Sequence, residues 1–183
     1  MNVVFIIFWC KIYFMKTFIL LSAVPGSGKS AWSEQYRLTH KNVFIVSSDA
    51  LRKEIGGACN NLNHEQEVWA RFLLDIKKIR DAHEDVTVIG DSTNIYNKFR
   101  KFYAENLDGF DKKVLVVIRK DLETVLRQNK VRNPEKIVPE EAIKKMWNDW
   151  EDPDDEVKSL FDKVVVVDKW FDTPDVKEEF YFE

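Results

Sequence analysis

A primary amine and a hydroxyl stand side by side at Lys29 and Ser30, directly behind two closely spaced glycines, in the stretch Ala23-Val24-Pro25-Gly26-Ser27-Gly28-Lys29-Ser30. The amine suits the terminal phosphates of a nucleotide, and the hydroxyl suits Mg²⁺. The spacing is that of a phosphate-binding loop, G-x-x-x-x-G-K-[ST], with Ala23 where the first glycine of the pattern stands. In such a loop the segment Pro25–Ser30 curves round the phosphates, the backbone N–H groups from Gly26 onward donate to them, and the following helix adds its positive dipole end. Gly26 and Gly28 allow the backbone angles and the close approach that a side chain would block.

Three further clusters carry chemistry. Ser47-Ser48-Asp49-Ala50-Leu51-Arg52 offers a carboxylate and, one helical turn on, a guanidinium. Phosphoryl transfer to a hydroxyl needs a base beside the acceptor oxygen and cations around the moving charge. Asp49 is the candidate base, and Arg52 the candidate holder of an acceptor anion. An aspartate there also suits a helix N-cap, and the two roles are compatible. Asp91-Ser92-Thr93-Asn94 puts a carboxylate where it either meets Mg²⁺ through water or holds an arginine such as Arg52. Thr93 and Asn94 are candidates to touch the acceptor, or else are plain turn residues. The stretch 127–134, RQNKVRNP, reads as a mobile basic lid in which Arg127 or Arg132 covers a triphosphate, or as a solvated loop. His64 is expected to be a cap or surface residue, and Trp69, Trp147 and Trp150 are expected to pack rather than to stack on a ligand.

The elements that must position these groups follow from the apolar pattern. Continuous apolar runs predict strands at Thr17–Leu21, Val43–Val46, Val86–Ile89, Val114–Ile118 and Val164–Val167. Helices are predicted at Lys29–Thr39, Asp49–Ile55, His64–His83, Ile95–Asn106, Asp121–Gln128 and Glu140–Trp150, the last begun at Pro139. Strands apolar throughout and alternating with helices mean a parallel sheet covered on both faces. Ligands of such sheets bind at the carboxyl ends of the strands. The glycine loop, Ser47–Asp49 and Asp91–Asn94 all fall at those ends. The expectation is one α/β P-loop NTPase domain, residues 15–168, with a five-stranded parallel sheet.

Bulk properties agree. The 183 residues suit one domain, and 45% hydrophobic with 32% charged residues is ordinary for a globular chain. A net charge of −3 excludes a generally basic nucleic-acid coat but leaves room for a local basic groove. Cys10 and Cys59 lack metal or redox spacing and read as free thiols in a reducing cytoplasm. The apolar run Val3–Trp9 is too short for a membrane span and has no signal-peptide cleavage pattern. Met15 offers a second start, so residues 1–14 are read as an extension from a misplaced start or as an added edge strand. Residues 169–183 form an acidic, aromatic tail.

Taken together, PGSGKS after one strand, SSDALR after the next, DSTN after the third and a basic segment running into VPEEAIKKMW resemble P-loop kinases of the polynucleotide 5′-hydroxyl kinase type, AAA-like ATP-binding proteins. The likeness runs from about Lys16 to Val167. It implies an adenylate-kinase-like fold and transfer of the γ-phosphate of ATP, with Mg²⁺, to the 5′-OH of DNA or RNA. It implies a general base at Asp49, an acceptor-phosphate arginine at Arg52 and a strand-end aspartate at Asp91. It also implies phosphate and metal roles at Lys29 and Ser30, and a lid arginine at Arg127 or Arg132. Relatives with the same Ser-Ser-Asp and lid pattern phosphorylate small molecules or aminoacyl-tRNA, so a small hydroxyl substrate is the alternative acceptor. An ATP-driven switch is the alternative of another class, and the SSD-x-x-R cluster counts against it.

Overall fold

Strand β1 (Lys16–Ser22) turns Phe18 and Leu20 to one face of a sheet and Ile19 and Leu21 to the other, and all four are fully buried. A strand apolar on both sides needs cover on both sides. In the computed structural model, which describes residues 14–167, that cover is helical. On the Phe18 face lie α3 (Glu65–Ala82) with Val68, Phe72 and Ile76, α4 (Asn97–Asn106) with Tyr103 and Ala104, and the short α7 (Asp155–Ser159) with Val157. On the Ile19 face, α1 (Lys29–Thr39) contributes Trp32 and Tyr36.

The remaining strands are β2 (Val43–Ser47), β3 (Val86–Asp91), β4 (Lys112–Ile118) and β5 (Lys163–Val167). All pairs are parallel, in the order β2-β3-β1-β4-β5. The order reverses at β1, which lies between β3 and β4, and this is where such sheets bind ligands. Register sets Ser47 opposite Asp91 and Leu20 opposite Gly90, so the polar ends of β2 and β3 come level. Above these ends, Val24 and Ile95 form a small cluster with Val125 of α5 (Leu122–Lys130) and Ile143 of α6 (Glu140–Asn148). The second helix in chain order, α2 (Ser48–Gly56), follows β2 without a break and packs against α3.

Every strand and helix expected from the sequence is present, with ends shifted by up to two residues. Helix α4 begins at Asn97 rather than Ile95, because Ile95 is buried in the upper cluster and Tyr96 is extended. The Asn97 N–H donates to the Glu151 carboxylate at 2.6 Å. Two elements were not expected. Helix α7 has five residues and one buried side chain, too few for a helical period to show; its cap is Asp154, which accepts from the Val157 N–H at 2.7 Å. The second is a 3₁₀ turn at Pro134–Lys136. The readings of residues 1–14 and 169–183 fall outside the described residues, Phe14 excepted.

One buried cation ties this architecture together. Arg100 is wholly buried on α4. Its Nε donates to Ser22 Oγ and to the Asn94 carbonyl, both at 3.1 Å; Nη1 donates to the Glu151 carbonyl and Asn97 Oδ1, both at 2.6 Å; Nη2 donates to the Ile95 carbonyl at 3.2 Å. Burial pulls its pKa down to about 10, against the opposing pull of Glu151, Asp152 and Asp154. Removing the guanidinium orphans several buried acceptors at once. Arg100→Met should therefore destabilise the protein by about 3 kcal/mol or more in urea denaturation. A loss below about 1 kcal/mol would show that the acceptors find other partners.

Candidate active site

The glycine loop joins β1 to α1. Gly26 and Gly28 adopt left-handed φ values of +87° and +97°. A Cβ on Gly26 would lie 2.7 Å from the Val125 carbonyl oxygen of α5, so glycine is required there by packing as well as by conformation. Ala23, by contrast, is not among the residues with positive φ, is fully buried, and donates its N–H to the Thr93 carbonyl at 2.9 Å. A methyl group is therefore tolerated where the common pattern has glycine. Val24 organises the loop: its carbonyl accepts from Ser27 Oγ at 2.7 Å and from Lys29 Nζ at 3.2 Å. The N-cap of α1 is Gly28, which supplies no side chain, and its first turn carries no acid, an electrostatic setting that favours a bound anion.

Asp91, at the end of β3, is 5% exposed and accepts a hydrogen bond from Ser30 Oγ at 2.8 Å. Burial pushes its carboxyl above the ordinary carboxylate range, while the Lys29 charge and the Ser30 hydroxyl pull it back. Burial likewise lowers Lys29, while Asp91 and then Asp49 raise it and Arg132 lowers it further. The paired hydroxyl and carboxylate are hard oxygen donors of the kind Mg²⁺ takes in small number, leaving the rest of its shell to phosphates and water. Among the described residues no group of three or more His, Cys, Asp or Glu could hold a metal ion, so a cation at Ser30 and Asp91 would take the rest of its shell from phosphate oxygens and water.

Asp49 lies in the first turn of α2, and the N-cap position belongs to Ser47. One Asp49 oxygen accepts from Arg52 Nη1 at 2.9 Å; the other is 3.8 Å from Arg132 Nη2. Arg52 does not reach Asp91. Its fork closes on Glu65, Nε to Oε1 at 2.6 Å and Nη2 to Oε2 at 3.1 Å, and its guanidinium lies 5.4 Å from the Trp69 ring centroid. Glu65 escaped the sequence reading. Its only signal there is an acid in the first turn of a helix, which the helix dipole alone would account for.

A cavity of about 610 Å³ gathers Pro25, Lys29, Ser30, Asp49, Arg52, Asp91, Thr93 and Arg132. Gly26, Ser27 and Gly28 form the loop beneath. Arg132 faces Asp49 from the basic segment, and its Nη1 is buried without a hydrogen-bond partner among the described residues. Arg127 is exposed on α5 and does not line the cavity. The segment is anchored at its base, where Asn129 donates to the Val138 carbonyl at 2.8 Å and accepts from the Val138 N–H at 3.1 Å. At its outer end Glu135 pairs with Lys53 of α2 at 2.7 Å. Asn94 points inward instead of toward this cavity: in the left-handed region at φ 43°, its amide donates to the Leu21 carbonyl at 2.8 Å and to Ser92 Oγ at 2.7 Å. His64 is exposed and caps nothing with its side chain. Trp147 and Trp150 pack on the upper cluster as expected.

A parallel sheet reversing at β1, a glycine loop at that point and a strand-end aspartate on its serine define a P-loop nucleotide-binding protein. The family model of the AAA domain, AAA_33, matches residues 19–153, and the chain belongs to that family of P-loop kinase type. Among solved structures, a chain of the Pnkp1/Rnl/Hen1 RNA repair complex is similar, with a TM-score of 0.64 and 16% identity over 84% of this chain and 48% of that one. Kti12 of Chaetomium thermophilum, in complex with ADP-AlF3, gives 0.63 and 15% over 89% and 93%. A gluconokinase from Sinorhizobium meliloti 1021 gives 0.57 and 20% over 92% and 91%. At these identities the likeness is one of fold. The chain spans about half the length of the RNA repair chain. No helix among the described residues is long and apolar enough to cross a membrane.

A ligand that binds only the folded state stabilises it by mass action. ATP at a hundred times its Kd should add about 2.7 kcal/mol, a rise of roughly 5–10 °C in Tm for a chain of this size. Lys29→Ala should lose most of that rise in a thermal shift assay. A variant that kept all of it would mean that the phosphates bind elsewhere.

Proposed function

We propose that the protein transfers the γ-phosphate of ATP to a hydroxyl group, with Mg²⁺, and that the acceptor is the 5′-OH of a polynucleotide. The observation that carries this reading is Asp49: a carboxylate lining the same cavity as Lys29 and Ser30, with a guanidinium on either side. An ATP-hydrolysing switch needs a residue that positions water, whereas an acceptor hydroxyl needs a base that faces an acceptor cleft, as Asp49 does with Arg52 beside it.

Lys29 and the loop amides hold the β- and γ-phosphates. Ser30 and Asp91 hold Mg²⁺, which when bound neutralises charge on the phosphate oxygens. Asp49 takes the proton of the acceptor hydroxyl as its oxygen bonds to the γ-phosphorus and the bond to the bridging oxygen of ADP breaks. Arg132 faces the charge that spreads over the moving group, and a lid arginine in that role also excludes water. Arg52 orients Asp49; an acceptor phosphate reaching its guanidinium exchanges with one of the two carboxylates now paired there. Thr93 borders the acceptor. Support for a polynucleotide comes from the strip of cations Arg52, Arg132 and Lys136 along the cavity and from the likeness to an RNA repair chain. A small hydroxyl acceptor is the second reading, favoured by the likeness to a gluconokinase over nearly the whole of both chains.

The test is transfer of label from γ-labelled ATP to a 5′-OH oligonucleotide. Asp49→Asn should lower kcat by about 10²–10⁴-fold, the usual contribution of a general base, while keeping the ATP-induced rise in Tm. Near-normal turnover in that variant removes Asp49 from the role of base. Label appearing only on a small polyol moves the acceptor to the second reading.

A further inference from the structure

A second cavity, of about 530 Å³, adjoins the first across Arg52, Thr93 and Met146, which line both. Its walls are aromatic. Trp69 comes from α3, Tyr96 from the start of α4, and Phe99 and Phe102 from α4 itself. Phe99 and Phe102 are three residues apart and so share one side of the helix. They are 44% and 43% exposed and belong to none of the packed clusters among the described residues, whereas Trp69 is braced against the core. Lys98 Nζ lies 5.4 Å from the Tyr96 ring centroid and 5.0 Å from that of Phe99, and forms no ion pair among the described residues.

The groove offers flat rings and few free hydrogen-bonding groups. The Tyr96 hydroxyl already donates to Asp149 at 3.0 Å, and both N–H groups of the Asn94 amide are engaged inside the protein. A polyol placed here would lose water from its hydroxyls without replacement. A nucleobase presents a π face to the rings, and its backbone phosphate meets Lys98 at the rim, the combination by which single strands are held. The geometry points to this groove as the seat of the nucleobase at the acceptor's 5′ end, with the attached 5′-OH reaching Asp49 past Arg52 and Thr93. The reading rests on transfer to a polynucleotide. It requires the terminal base to be unpaired and unstacked, so the substrate is a single-stranded 5′ end.

The experiment compares transfer to a 5′-OH single-stranded oligonucleotide with transfer to the same oligonucleotide made abasic at its 5′ nucleotide. With the native protein, loss of the base should lower kcat/KM by roughly 10- to 100-fold, the contribution of one stacked base. In a Phe99→Ala/Phe102→Ala protein the intact oligonucleotide should fall toward the abasic one, and the ATP-induced rise in Tm should be unchanged. Equal kcat/KM for intact and abasic oligonucleotides with the native protein overturns the groove assignment and leaves the kinase reading standing. That comparison does not depend on the variant folding. ATP binding with no transfer to either oligonucleotide overturns the polynucleotide reading and the groove with it.

Discussion

The hydrogen bond from Ser30 to Asp91 is the contact on which the site depends, because it joins two strands' worth of topology in one place. Ser30 stands in the first turn of α1, behind the loop that follows β1, and Asp91 ends β3. They meet only because β3 lies directly beside β1 in the sheet. That adjacency in turn requires β1 to be buried on both faces, with a helix layer over each. The cost of the arrangement is a partly buried lysine and a buried aspartate at the carboxyl ends of the central strands, each pushed toward its neutral form by desolvation and restored in part by the other. A nucleotide phosphate beside Lys29 would favour the charged lysine, so nucleotide binding is coupled to the electrostatics of this pair.

Around that contact, two structural anchors separate rigid from adaptable parts. Arg100 fixes the β3–α4 connection by holding the carbonyls of Asn94 and Ile95 and that of Glu151. Thr93 is thereby presented to the cavity from a braced turn. On the opposite wall, Asp49 is held by side chains alone: Arg52, with Glu65 behind it, and Arg132 at longer range. The asymmetry suits the proposed role of Asp49, a base that exchanges one partner for an incoming hydroxyl.

The five strands and the long helices were legible in the sequence because burial on both faces leaves unbroken apolar runs, as in VLVVI of β4. The glycine loop was legible because backbone conformation restricts residue choice, and Gly26 and Gly28 bear that out. What was not legible depends on distance along the chain. Glu65 meets Arg52 from 13 residues away, and nothing in either local stretch announces the pairing. Asn94 looked like a ligand residue because Asp91–Asn94 is polar, yet its amide satisfies a carbonyl of β1, 73 residues earlier. The choice between Arg127 and Arg132 as cavity residues turned on where α5 ends, a boundary that periodicity alone fixes poorly. The aromatic groove was hidden for the same reason that α4 was easy to find: at helical spacing, Phe99 and Phe102 read as one more core stripe.

The basic segment is fastened unequally at its two ends. The paired hydrogen bonds between Asn129 and Val138 close its base, with Asn129 buried. The Lys53–Glu135 pair at its outer end is open to solvent on both sides. An exposed pair weakens as salt screens it, while a buried amide pair does not. Ionic strength thus weakens the exposed pairs Lys53–Glu135 and Lys130–Glu140 but leaves the Asn129–Val138 bonds in place. Salt therefore loosens the outer end of the segment, while the Asn129–Val138 amide pair keeps its base closed.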